Sequence, residues 1–251
     1  MIGAARAGFL GAAGTEAWTG PDEEYYVDAS GNNVLYCNFD TLADLFTLSG
    51  NASLGTTNAN TSLGCENALQ LDGTGDYATT DANYNFKLEA DGSCCHEVWV
   101  RTGITLSGSP SYGILEMDGG SNIDWTLVHR GTGTGQLRHS WNSSSSPPGA
   151  VSQGIAAVAN TWTHIAYARN DAGNIRMWRQ GVSVATATNA LVRGSDSAPL
   201  VVGASSAIWG GNAWNGQIGP VRIVKGASVY DPTSSTITVP TAKFSHVSDF
   251  G

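Results

Sequence analysis

The stretch WTHIAYARNDAGNIRMWRQG, residues 162–181, decides the fold. Trp162, His164, Ala166 and Ala168 fall on one side of an alternating run, and Thr163, Ile165, Tyr167 and Arg169 on the other. Successive side chains of a strand point to opposite faces, so this is the pattern of a strand buried on at least one side. Asn170-Asp171-Ala172-Gly173-Asn174 follows, residues that tolerate positive φ and hydrogen-bond their own backbone. Ile175, Met177 and Arg179 then alternate with Arg176, Trp178 and Gln180 up to Gly181. Two alternating runs joined by a turn predict a β-hairpin, which needs further strands beside it and a second sheet to cover it.

Outward from the hairpin, strand patterns recur at short intervals. They are Val34–Phe39, Ala68–Asp72 with a glycine turn leading to Tyr77, His96–Arg101, Gly113–Met117, Trp125–His129 and Gln136–Trp141. Val182–Ala187, Leu200–Val202 and Trp214–Val224 follow the hairpin. Residues 40–64 read as a polar loop, Ser143–Gly149 as a flexible loop, and the segment from Ala227, with Pro232 and Pro240, as a tail lying irregularly across the surface. Many strands with turn residues between them and no helical periodicity indicate an all-β, two-sheet antiparallel jelly-roll sandwich. Residues 1–33, Gly/Ala-rich and then acidic, are expected to form an N-terminal extended arm, and residues 34–251 the sandwich with its tail.

Composition narrows the function. Only 13% of the 251 residues are charged, against about 25% in an average soluble domain, so the surface is rich in hydroxyls and amides. The net charge of −9 and the absence of any Lys/Arg cluster argue against nucleic acid, whose phosphates need a basic footprint. No stretch approaches the roughly 20 apolar residues of a membrane span, so no membrane insertion is expected. The start, MIGAARAGFLGAAG, is too diluted by glycine and Arg6 for a signal peptide. Cys37, Cys65, Cys94 and Cys95 contain no CxxC pair, which argues against zinc. They read as buried thiols, with a Cys37–Cys65 or Cys65–Cys94 bridge left open.

Several segments in order, LQLDGTGDY (69–77), HEVWVR (96–101), WTHIAYAR (162–169), IRMWRQG (175–181), LVVG (200–203) and WNGQIGPVRIVKG (214–226), resemble the laminin-G-like, concanavalin A-like lectin/glucanase domains. The resemblance covers roughly residues 34–245 and implies a jelly-roll sandwich. Many relatives carry Asp-Glu where this chain has Gly219-Pro220. The GPVRIVKG form, with Val229-Tyr230 and Pro240-Thr241 after it, looks like that of tailed-phage virion structural proteins. By that likeness the expected role is a non-enzymatic virion surface protein, a capsid decoration or tail appendage. It would meet other virion proteins through its arm, adhere to host-surface glycan, and form a homo-oligomer such as a trimer. A free extracellular lectin or adhesin is the first alternative, and a glucanase-like glycoside hydrolase the second.

The residues weigh these roles. Glucanases on this fold use a Glu-x-Asp-x-Glu strand, because retaining hydrolysis needs two carboxyls about 5–5.5 Å apart. Glu116 and Asp118 supply the first two positions, but Gly120 stands at the third, so no catalytic residue is expected. His164 is read as an inward core histidine, as the resemblance implies. His96-Glu97 lacks a metalloprotease's second histidine. The candidates for glycan or interface contact are Trp209, Trp214 and Asn212, with Trp178, out of phase with Ile175 and Met177, and Trp141 before the serine loop. Core filling is the remaining reading for Trp209 and Trp214. Calcium is the usual ion of the family, and Asp72, Asp76 and Asp118 are its candidate ligands, with turn capping as the other role for these aspartates.

Overall fold

A computed structural model describes residues 23–41, 45–80, 86, 92–104, 106, 111–118, 123–130, 135–141, 149–153, 158–188, 199–205 and 213–245. The predicted hairpin is its centre. Strands β12 (Thr163–Arg169) and β13 (Asn174–Arg179) pair antiparallel, with Ile165 opposite Arg179 and Tyr167 opposite Met177. The turn closes through Gly173 N–H to Asn170 O at 2.8 Å and Asn170 N–H to Asn174 O at 3.1 Å. Gly173 sits at φ 78°, where a side chain would be strained.

Two antiparallel sheets stack around this hairpin. The large one runs β1 (Glu23–Val27), β2 (Asn33–Cys37), β16 (Asn215–Lys225), β7 (Cys94–Thr102), β12, β13 and β14 (Val182–Thr188). Strands β4 (Ser53–Gly55) and β5 (Ala68–Asp72) branch from β16. The small sheet runs β11 (Gly149–Gln153), β10 (Gln136–Trp141), β9 (Ile123–Arg130), β8 (Ser111–Asp118), β15 (Leu200–Val202), β6 (Tyr77–Thr80) and β3 (Phe46–Ser49). Among the described residues there is no α-helix, only a 3-10 turn at Thr61–Leu63. The jelly-roll expectation holds, with three refinements. The region 40–64 contains β3 and β4, Gly149 opens β11, and residues 23–27, assigned to the arm, add β1 to the large sheet. The arm's residues 1–22 lie outside the described residues.

Alternation places the core. Val98 and Val100 of β7, Ile165 and Tyr167 of β12, and Ile175 and Met177 of β13 face Leu127, Leu137 and Trp125 of the small sheet. At its middle His96 of β7 meets His139 of β10, ring nitrogen to ring nitrogen at 2.9 Å. Trp125 stacks on His96 with centroids 3.9 Å apart, and Tyr167 on His139 at 3.6 Å. Burial pushes the His96 imidazole down to about 3. The His139 ring lies well below its ordinary value through burial first and the neighbouring His96 second. Both rings are therefore neutral, one donating and the other accepting, and they clasp the two sheets from inside.

Gly219-Pro220 falls where β16 shifts register against β7, between Ile218 and Val221. Proline has no N–H for a ladder, and a bulge is where a central strand tolerates it. A Cβ on Gly219 would come within 3.1 Å of the Trp162 ring. The departure from the family pattern thus has a packing role here.

The outer face of the large sheet is closed by the tail, which lies irregularly across it as expected. Ile237 N–H bonds Gly181 O, Ser183 N–H bonds Ser235 O, and Lys243 N–H bonds Leu63 O. Asn38 exchanges two bonds of 2.9 Å with the backbone of Phe244, and Lys243 ion-pairs with Asp40. Beneath the tail lie Trp178, Ala166 and Ala168, and beside them Cys95 and Trp99. His164 is on this outer face rather than inward, because the neighbours that face the core are Thr163 and Ile165. It is nonetheless fully buried, and its Nε2 meets Glu97 Oε2 at 3.1 Å. Glu97 also takes the Tyr230 hydroxyl at 2.8 Å and an ion pair with Arg222. Burial alone would raise the Glu97 carboxyl, but Arg222, His164 and Tyr230 outweigh it and hold it down at about 2. All four cysteines are free and buried, with Cys94 facing the core and Cys95 the tail.

Candidate functional site: the outer face of the small sheet

On β9, Trp125, Leu127 and His129 point into the sandwich, so Thr126, Val128 and Arg130 point out. On β10, Leu137 and His139 point in, so Gln136, Arg138 and Ser140 point out. Glu116 of β8 lies opposite Thr126 and shares this face. The result is a layer of one carboxylate, hydroxyls, an amide and two guanidiniums across adjacent strands.

The residues that follow β15 pack against this layer. Gly203 N–H bonds Ile114 O at 2.9 Å, and Trp214 N–H bonds Gly203 O at 2.7 Å. Ala204 presses on β8. A Cβ on Gly113 would lie 2.1 Å from the carbonyl carbon of Ala204, so this position requires glycine. Ser205 Oγ donates to Glu116 Oε2 at 2.5 Å. Glu116, Thr126 and Val128 are buried, whereas Arg130, Gln136 and Arg138 are half-buried at the side. Arg138 Nε donates to Ser140 Oγ at 2.7 Å, which fixes the plane of its guanidinium.

The arrangement supports binding better than hydrolysis. Glu116 is wholly buried and engaged by Ser205, and Gly120, at the third carboxylate position, lies outside the described residues. A general acid must reach the glycosidic oxygen it protonates, and a sequestered carboxylate cannot.

Of the contact residues expected from sequence, Trp209 and Asn212 lie outside the described residues, as does the side chain of Trp141. Trp178 and Trp214 are corrections. Trp178 does face outward from β13, but the tail covers it, and its Nε1 donates to Ser234 O at 3.2 Å. Trp214 fills the end of the core, its Nε1 donating to Arg101 O at 3.2 Å, so core filling is its role. Neither presents a ring face to a sugar.

Asp72 and Asp76 are brought together, but as turn caps. Asp76 accepts the N–H groups of Asn51 and Asp72 at 2.9 and 2.8 Å. Asp72 accepts Thr74 N–H at 2.8 Å and the Asn51 amide at 2.7 Å. These hydrogen bonds, the Asn51 amide first, draw the Asp72 carboxyl below its ordinary value. With all four oxygens already taking donors, the pair does not fit a calcium cage, which needs six or more converging oxygens. Among the described residues no three His, Cys, Asp or Glu side chains converge as a metal site, and the Asp118 side chain lies outside them.

Arg130, Arg138 and Ser205 were not singled out from sequence. The alternation of QLRHSW and IDWTLVHR carried the signal for the arginines once the inward face was known. Ser205 had none, since its partner is 89 residues away.

Comparison with known proteins agrees with this architecture. Residues 72–229 match the family model of the concanavalin A-like lectin/glucanases superfamily. No curated protein matches significantly. Among solved structures, the binding domain of botulinum neurotoxin serotype D is similar at 15% identity and TM-score 0.51, over 79% of this chain and 44% of that one. The serotype G binding domain is similar at 11% and 0.50, over 75% and 44%. The chain thus spans less than half of these structures, and at such identity the likeness is one of fold. With the family model matching well over half of a two-sheet antiparallel sandwich, the chain belongs to the concanavalin A-like lectin/glucanases superfamily.

Proposed function

We propose that the chain is a non-enzymatic saccharide-binding module of a virion surface. The observation that carries this reading is the polar outer face of the small sheet, where Ser205 is bonded to Glu116 and Arg130, Gln136 and Arg138 lie half-buried beside them. An amide and guanidiniums at a partly open face suit the many hydroxyls of a sugar. Trp209 and Asn212, between Ser205 and Ala213 in the chain, are the first candidates to complete the contact. The similar structures are themselves binding domains, which accords with a recognition role without assigning a ligand. The virion context rests on the GPVRIVKG resemblance, and residues 1–22 would fasten the sandwich to capsid or tail proteins, in a homo-oligomer such as a trimer.

A glycan array probed with the purified chain, with and without calcium, tests the binding. Retention of specific saccharides in both conditions is expected, and a blank array in both contradicts it. Copurification with phage particles tests the location; a protein never found on particles leaves the second reading, a free extracellular lectin, in its place.

A further inference from the structure

A groove opens at the margin of the tail's cover on the large sheet. Ile175 and Met177 of β13 face the core, so Asn174 and Arg176 face outward, and pairing sets them opposite Thr188 and Thr186 of β14. The tail turn at Pro232 and Thr233 forms the wall beside these four side chains, and the groove so enclosed has a volume of about 340 Å³. That is the size of a small-molecule site.

The Arg176 guanidinium is held in this groove by the wall itself. Its Nε donates to Pro232 O at 2.8 Å and its Nη1 to Ser183 Oγ at 3.1 Å, which sets the plane of the fork and lowers the ordering cost of a ligand contact. Asp231 is the next residue of the tail, but its carboxylate accepts the Thr233 N–H and hydroxyl, each at 2.8 Å. Those bonds come first in drawing the Asp231 carboxyl below its ordinary value, and the charge of Arg176 comes last. Asp231 therefore closes its own turn more than it neutralises Arg176. Asn174, Thr186 and Thr188 add an amide and two hydroxyls, and among the described residues no carboxylate lines the groove. One cation and several neutral donors favour a ligand rich in acceptors.

We infer that this groove binds a small carboxylic acid, its carboxylate on Arg176 and its remaining polar groups against Asn174, Thr186 and Thr188. The planar guanidinium matches a planar carboxylate. The groove and the saccharide-binding face lie on opposite sheets, and neither reading depends on the other.

The test is NMR titration of the full chain with a panel of small hydroxy acids and amino acids, each beside its neutral amide, and with inorganic phosphate. At least one acid should shift the amide signals of 174–176, 186–188 and 231–234. Its neutral amide should bind at least about tenfold more weakly, the worth of one hydrogen bond to a charged group. Arg176→Gln should lose about the same factor. Because that change also frees the tail turn, Thr188→Val, at an exposed position, is the second variant, and it should weaken binding severalfold with thermal unfolding unchanged. No shift with any acid, an amide or phosphate that binds as well as the acid, or unchanged affinity in either folded variant overturns the inference. Each of these results leaves the saccharide reading standing.

Discussion

The outer faces of the two sheets are met by the rest of the chain in different ways. On the large sheet the tail crosses from Ala227 to Phe244 and is fastened along its length by backbone bonds, the Asn38–Phe244 exchange and the Lys243–Asp40 pair. Its charged centre is closed, with Glu97 bound by Arg222, His164 and Tyr230. On the small sheet the covering contacts among the described residues are fewer: Gly203 bonds Ile114 and Trp214, Ser205 donates to Glu116, and Arg130, Gln136 and Arg138 are half-buried on the same face. A face fastened along its length contributes to stability. One held at fewer points and partly open is better suited to a ligand. The two faces can therefore be separated by mutation.

The largest effect is expected on the sealed side. Glu97→Ala leaves the Arg222 guanidinium without its carboxylate and should cost about 3–5 kcal/mol, read from the denaturant midpoint. Trp178→Ala should cost a similar ~3–5 kcal/mol, because it empties a covered site. If Trp178→Ala left stability intact and abolished glycan binding, the tail would not be the cover described here.

Acid should act through the clasp that both sheets share. His96 and His139 have folded values below the ordinary 6.5, so the unfolded chain binds protons that the folded chain does not. Their contribution is fully present above about pH 6.5 and is lost as pH falls from there toward about 3. Between pH 6 and 5 the loss should be about 2 kcal/mol, since two histidines each approach ~1.36 kcal/mol per pH unit. Denaturant midpoints across that range check it, and a double His96→Gln/His139→Gln variant should flatten the slope. Glu97, held down at about 2, adds its own loss only lower, as pH falls from its ordinary 4.5 toward that value.

Smaller effects sharpen the contrast. Tyr230→Phe removes one donor from Glu97 and should cost about 1–2 kcal/mol with binding unchanged. Ser205→Ala removes one donor from buried Glu116 and should cost a similar ~1–2 kcal/mol, yet alter saccharide affinity. Equal effects of the two substitutions on binding would erase the distinction between the faces.

How far the sequence could carry this account depends on the range of the interactions. The hairpin at 162–181 is local, so its strands, its turn and its buried faces are all legible. Strands β3 and β4 are short, FTLS and SLG, and sit among turn-forming residues, so neither shows enough alternation to stand out. Strand β1, EEYYV, is acidic and lies at a sheet edge, which gave it the look of an arm. The phase of Trp178 was readable, but its cover comes from Ser234, 56 residues away. His164 was rightly buried and wrongly turned inward, because the tail makes an outer face as dry as the core. The aspartates at 72 and 76 show how residue type alone leaves a role open, since the carboxylates that suit an ion also cap turns.

Hydrogen exchange read by mass spectrometry, with and without a saturating saccharide selected on the array, tests the central claim most directly. The account predicts slowed exchange in 111–118, 136–141 and 199–214, with 94–102 and 227–245 unchanged. Protection confined to the tail and the outer face of the large sheet would contradict it.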